Sequence, residues 1–208
     1  MNTSLKSELK RKALHLTGLV VPALYILTDR EFTLTFVATA FAVFVVLEPF
    51  RIIEELRDRI KLKLRLINPD VVTGIEVLER HVMDIEREHE RLGVAAHIYF
   101  ALASLIVVYF FTENVAIAAV TVATLGDAMA AIIGKNFGRH RFSNGKSLEG
   151  SLAYFLSALL VIYPLLGLKL AIAGALIGTL VEFYGLPPDD NFSNQVCVAF
   201  ALYLFSLI

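Results

Sequence analysis

Apolar and polar positions along this chain are gathered into blocks rather than interleaved. Seven stretches are nearly free of charge: Ala13–Thr28, Phe32–Phe50, Val94–Phe111, Val115–Gly134, Ser151–Leu166, Lys169–Leu186 and Phe192–Ile208. Each approaches the roughly 20 apolar residues that cross a bilayer as a helix. Pro22 and Pro164 interrupt two of them, which membrane helices accept when neighbours satisfy the freed carbonyl. Between the second and third stretches lies one polar segment, Arg51–Leu92, which reads as two amphipathic helices broken at Asn68-Pro69-Asp70. In the first, Ile53, Leu56, Ile60, Leu64 and Ile67 recur at spacings of three and four. In the second, Ile75, Leu78, Val82, Ile85 and Leu92 do so, with His89 in the missing step. The pattern predicts an all-α, polytopic integral membrane protein with about seven transmembrane helices. Residues 1–208 form a single domain, with 51–92 a cytosolic helical insertion.

Composition agrees. Apolar residues make up 57% of the 208 residues, charged ones 19%, and the mean hydropathy is +0.67. A soluble domain holds about 45–50% apolar and about 25% charged residues. Net charge is −1, so no global basic field points to nucleic acid, and the single Cys197 excludes an internal disulfide or a cysteine metal cluster. The basic opening followed by an apolar run lacks a small-x-small cleavage site, so it reads as a first retained helix. The distribution of charge says more than its sum. Of the 19 Lys and Arg, 17 lie in the N-terminal segment, in 51–92 or in the 135–150 loop, which seven crossings put on one side. The positive-inside rule makes that side the cytoplasm of a multi-pass cell-membrane protein, with the N-terminus inside. The 51–92 helices then lie on the membrane surface, with a nucleotide lid or a subunit contact, as in a homodimer, as alternatives.

Ionisable groups within apolar spans are costly and are functional candidates by default. Asp127 sits in the fourth stretch, and Ala131, Gly134 and Gly138 fall within about 40° of it on a helical wheel, leaving room on its face. A helix–helix contact through small residues is the alternative. The following loop brings Gly145, Lys146 and Ser147 immediately before a helix, a chemistry suited to phosphate. Its spacing is G-x6-G-K-S and no strand precedes it, so it is not a Walker fold. Glu8, Arg11, Lys12 and His15 share about 100° of one helix face at the entrance to the first span. Glu48 and Arg51 flank Pro49; Glu182, Asp190 and Asn191 add carboxylate and amide oxygens on the same side. Acidic and basic loops meeting at one face suit a magnesium–phosphate ligand. His97 and Tyr99, near the start of the third span, read as helix packing.

Taken together these residues resemble the dolichol kinase and phytol kinase family. Glu8-x2-Arg11-Lys12-x2-His15 is similar to its opening motif, and Gly126-Asp127-Ala128-x-Ala130-x3-Gly134-x3-Gly138 with Lys146-Ser147-Leu148-Glu149-Gly150-Ser151 resembles its central signature. Asp190-Asn191 matches a further short motif. The resemblance implies an integral membrane phosphotransferase that uses CTP and Mg²⁺ to phosphorylate a lipid alcohol: a dolichol or other polyprenol, phytol or geranylgeraniol, or diacylglycerol. CTP-dependent phosphatidate cytidylyltransferases share the core D-x2-A…K-[ST]-x-E-G, but carry a C-terminal H-G-G-x3-D-R-x-D that is absent here. On this resemblance Asp127, Lys146 and Glu149 are the expected catalytic residues. Arg11, Lys12, His15, Arg51, Gly134, Gly138, Ser147, Gly150 and Ser151 are expected at phosphate. Asp127, Glu149, Asp190 and Asn191 are expected at the metal. A transporter using Asp127, Glu182 and His97 is the competing class; it calls for an inverted repeat, and none is visible.

Overall fold

A computed structural model describes residues 11–83 and 94–208 of the chain. Every regular element among them is helical. Residues 11–16 form a helical turn that tightens into a 3₁₀ stretch at Thr17–Leu19 and continues as α1 (Val20–Leu27). There follow α2 (Arg30–Ile52), α3 (Glu54–Ile67), α4 (Pro69–Met83), α5 (Ala96–Phe110), α6 (Glu113–Phe137), α7 (Leu148–Tyr184) and α8 (Asp190–Ser206). Local chemistry sets the boundaries. Asp29 caps α2 by accepting from the Phe32 amide at 2.8 Å, and Ser147 caps α7 by accepting from the Gly150 amide at 3.1 Å. Gly185, with φ of +60°, ends α7 in the left-handed conformation that suits glycine.

The 37 residues of α7 are not one rod. Gly167 has φ of +80° and ψ of 172°, and the helix folds back on itself there. A Cβ on Gly174 would lie 2.7 Å from Ile162 Cδ1, and one on Gly178 would lie 2.8 Å from Tyr154 Oη. In a straight helix residues 154 and 178 would stand about 36 Å apart. Residues 148–166 and 168–184 are therefore antiparallel arms zipped through small residues.

α6 is the centre of the bundle. Its Ala116, Ala118, Ala119, Val120 and Val122 are all buried, and it packs against α7, α8, α1 and α5. Small side chains inside let helices approach closely, which is how helices associate where burial of apolar surface brings no gain over lipid. Large apolar residues face outward instead, as in the row Leu152, Leu156 and Leu160 on α7. Two buried polar links stitch helix to helix: Tyr154 hydroxyl to Asn194, and Ser104 Oγ to Gln195 Oε1 at 2.9 Å.

Among the described residues three helices, α2, α6 and α7, are long and apolar enough to cross a membrane, not the seven that the sequence predicts. They point to a membrane protein. The first expected span is divided by its 3₁₀ stretch, so that α1 keeps only eight residues. The third becomes α5, whose 15 residues reach about 22 Å against a core of about 30 Å. The seventh becomes α8, 17 residues carrying Asp190, Asn194 and Gln195. The fifth and sixth are the arms of α7. The amphipathic pair forms as expected over α3 and α4, with Pro69 at the first helical position of α4. Asn68 Oδ1 accepts from the Asp70 amide at 3.0 Å, and an exposed Arg65–Glu76 bridge of 3.1 Å joins the two helices. The stretch holding Ile85, His89 and Leu92 lies outside the described residues, as does Glu8.

Candidate functional site

The site grows from the contact between the C-terminal half of α6 and the first turn of α7. A Cβ on Gly134 would lie 3.0 Å from Ser147 Oγ, and one on Gly150 would lie 2.8 Å from the Ala130 carbonyl oxygen. These glycines let two backbones meet, as small residues do between membrane helices. The loop joining the helices is a tight hairpin. Phe142 N donates to Lys146 O at 2.9 Å, and Leu148 N donates to His140 O at 2.9 Å. Gly145 takes φ of +82° at its tip, and Asn144 Oδ1 accepts from the Lys146 amide at 3.1 Å. This geometry carries Lys146 and Arg141 back over the α6–α7 contact, where Arg141 Nη2 donates to Gly134 O at 3.1 Å.

Beneath them is a cavity of about 180 Å³ lined by Arg11, Lys12, Asp127, Lys146, Glu182 and Asp190, among others. Its walls come from the N-terminal segment, α6, the hairpin loop, both arms of α7 and the start of α8. Asp127 pairs with Lys12, which is almost fully buried, and His15 Nε2 stands 3.4 Å from the same carboxylate. Lys146 pairs with Glu182, whose side chain is only 7% exposed. Each buried charge is thus compensated by an opposite one, which its burial requires. The lining holds five basic side chains, with Lys135 and Arg141 completing the set, against three carboxylates. Such an excess attracts a polyanion. Ser151 Oγ, buried in the wall, has no hydrogen-bond partner among the described residues.

Of the residues expected from the sequence, Arg11, Lys12, Asp127, Gly134, Lys146, Ser147, Gly150, Ser151 and Asp190 line this one cavity. His15 reaches it through Asp127. Gly138 stands just beyond, closing α6 with its amide on Gly134 O at 3.2 Å. Glu149 does not join them: it turns outward and accepts from His140 Nδ1 at 2.8 Å and from the His140 amide at 3.2 Å. Asn191 binds Asp189 Oδ1, and Arg51 holds Glu48 through contacts of 2.7 and 3.0 Å; both face a separate, larger groove. Three charged lining residues, Lys135, Arg141 and Glu182, went unassigned in the motif reading. Arg141 read only as a loop charge, and Glu182 as one carboxylate near the same face, because its partner Lys146 lies 36 positions away. Among the described residues no three His, Cys, Asp or Glu side chains converge closely enough to hold a metal unaided.

The apolar helices point to a membrane protein, and its charged cavity carries more basic than acidic side chains. An uncharacterized protein of Rickettsia prowazekii is 23% identical over 210 residues, covering 97% of this chain and 96% of that protein. An uncharacterized protein of Methanocaldococcus jannaschii is 37% identical over 109 residues, 50% of this chain and 56% of that protein. A dolichol kinase, sec59, of Schizosaccharomyces pombe is 36% identical over 85 residues, which are 37% of this chain and 17% of that kinase. The similarity to a dolichol kinase is therefore partial. No family model matches the chain, and no solved structure matches it significantly.

Proposed function

We propose that this protein is a CTP-dependent lipid-alcohol kinase that phosphorylates a membrane isoprenoid alcohol of the dolichol or polyprenol type at the cytosolic membrane face. The observation that carries the reading is the convergence of Arg11, Lys12, Asp127 and Lys146 on one cavity with a five-to-three excess of basic side chains. Partial similarity to a dolichol kinase supports it. The choice of CTP and of an isoprenoid acceptor comes from the resemblance in the motifs.

Phosphoryl transfer asks a protein for positioning and charge neutralisation. Lys146, Arg141 and Arg11 would grip the triphosphate from the loop side and the N-terminal side of the cavity. Mg²⁺ binds through one or two carboxylates and the phosphates themselves, so a site without three clustered protein ligands suits it. Asp127 and Asp190 are the residues to hold it, and it would neutralise charge on the β- and γ-phosphates. The alcohol oxygen attacks the γ-phosphorus, the bond from that phosphorus to the β-bridging oxygen breaks, and CDP leaves. The alternative role for Asp127 is to receive the alcohol proton, with Asp190 left to hold the metal. Glu182 acts as the counter-charge that aims Lys146. The topology belongs to the same proposal: the two arms of α7 supply two crossings, and the basic loops around the cavity face the cytoplasm.

The test uses purified full-length protein in lipid nanodiscs with Mg²⁺ and a long-chain polyprenol. Label from γ-³²P-CTP should enter the lipid fraction with release of CDP. Label entering from α-³²P-CTP with release of pyrophosphate would instead establish a cytidylyltransferase, and no transfer from either would defeat the reading.

A further inference from the structure

A second cavity, about 640 Å³, runs beside the charged one. One wall is a single face of α2: Phe36, Val37, Ala40, Phe44 and Arg51, covering about 22 Å along the helix axis. The opposite walls are the segment Leu14–Val21 and the start of α5, including Phe100 and Ala101. Two edge-on ring contacts fix the walls, His15 against Phe100 with centroids 6.1 Å apart and Phe44 against His97 at 4.6 Å. The α5 end is docked by Glu48, whose Oε1 accepts from the Ala95 amide at 2.8 Å while its carboxylate holds Arg51. The groove is thus apolar along most of its length and has a polar end, marked by Arg11, which also lines the charged cavity, and by Asn191, next to Asp190 of that cavity.

That polar end adjoins the charged cavity. Arg11 lines both spaces, and His15 lines the groove while standing 3.4 Å from the Asp127 carboxylate. We infer that this groove seats the hydrocarbon chain of the lipid acceptor, head end at His15 and Arg11, so that its hydroxyl is delivered to Asp127. This inference rests on the proposed kinase reading for the identity of the acceptor. The groove yields little affinity, because a chain leaving the bilayer for an apolar groove exchanges one hydrocarbon environment for another. Its value is orientation: a chain held along α2 cannot swing its head away from the reacting phosphate. The groove takes the head-proximal part of the chain and leaves the remainder in the bilayer. Transfer should therefore rise with chain length until the groove is filled, and then level off.

The experiment uses the full chain in nanodiscs and a polyprenol carrying a diazirine on its first isoprene units. Photolysis should place the label on peptides containing Phe36–Phe44 and Ala96–Ala101. Label spread over outward faces such as Leu156–Leu160, or the same groove labelling from a diazirine phospholipid, would overturn the inference. Ala40→Trp, filling mid-groove, should lower transfer to a long polyprenol relative to a short water-soluble isoprenoid alcohol by at least about tenfold. Leu160→Trp, of equal bulk on an outward face, should leave that ratio unchanged. An Ala40→Trp ratio like that of Leu160→Trp would also overturn it. Because photolabelling of the unaltered protein needs no turnover, groove labelling without phosphoryl transfer defeats the kinase reading alone. Transfer with labelling elsewhere defeats the groove alone.

Discussion

Charged residues are dense in two regions of this molecule, and the two use them differently. Around the α6–α7 contact, Lys12, Asp127, Lys146 and Glu182 are drawn into a cavity and each is matched to an opposite charge across a long sequence distance. In the α3–α4 pair, Arg65 and Glu76 meet at 3.1 Å with side chains 62% and 39% exposed. Ion pairing at short range is common to both. What differs is water: the exposed pair is screened and exchanges freely with solvent, whereas the buried pairs fix each other and whatever enters between them. Charge in a membrane protein reads as chemistry where the fold withdraws it from solvent, and as solubility where it does not.

The contrast can be broken by substitution, and the largest effect falls on Asp127. Asp127→Asn preserves shape and should lower turnover by at least about 10²-fold, the low end of acid–base contributions, and should also lower unfolding stability in detergent because it leaves the buried Lys12 without its counter-charge. Unchanged turnover in a CTP assay would reduce Asp127 to a packing group. Lys146→Ala comes next, since it leaves Glu182 buried without its counter-charge. Removing one partner of a fully buried pair costs about 3–5 kcal/mol, and the partial exposure of Lys146 brings the expected loss below that range. Adding Glu182→Gln to Lys146→Ala should recover unfolding stability in detergent without recovering CTP binding. If the double variant is no more stable than the single one, the pair is not coupled.

Gly150→Val tests the backbone contact below the cavity. A Cβ there would lie 2.8 Å from the Ala130 carbonyl, so overpacking should cost about 1–3 kcal/mol and be visible as a lowered melting temperature before any nucleotide is added. A defect confined to CTP affinity, with stability unchanged, would mean that the glycine serves phosphate rather than helix packing. The smallest effect belongs to the other region: Arg65→Ala should change stability by under about 1 kcal/mol and leave transfer intact. A large loss of activity there would show that α3 and α4 are part of the nucleotide site and would erase the distinction between the regions.

Much of the cavity was legible in the sequence because its residues violate their surroundings. Asp127 stands out in an apolar helix, and Arg11, Lys12 and Lys146 cluster beside apolar stretches more tightly than anchoring demands. Glu149 adjoins these residues in the motif but does not line the cavity. At 100° per residue it lies about 160° from both Ser147 and Ser151, so the turn that aims those two at α6 aims it at His140. Glu182 was invisible as the partner of Lys146 because nothing local encodes a contact across 36 residues. The count of crossings failed for a related reason. A window of hydropathy registers apolar length, and it does separate the two arms of α7 at the Gly167 reversal, but it sees neither the 3₁₀ stretch at Thr17–Leu19 nor the helix ends that leave α5 with 15 residues and α8 with 17.

That reversal makes the α7 hairpin a gauge as well as a scaffold. The chain turns within one residue, so neither arm has slack, and the position of each arm's open end is set by counting residues from the bend. Lys146 precedes the first arm and Glu182 lies near the end of the second; they meet because the two counts agree in height and in angle. One residue added to either arm advances its far end by about 1.5 Å and turns it by about 100°. A 1.5 Å advance is tolerable for a flexible lysine, but a 100° turn is not, for it points Glu182 away from the cavity. The spacing between these two residues is therefore held by phase, and natural length changes in this chain should fall in the loops outside the interval they enclose.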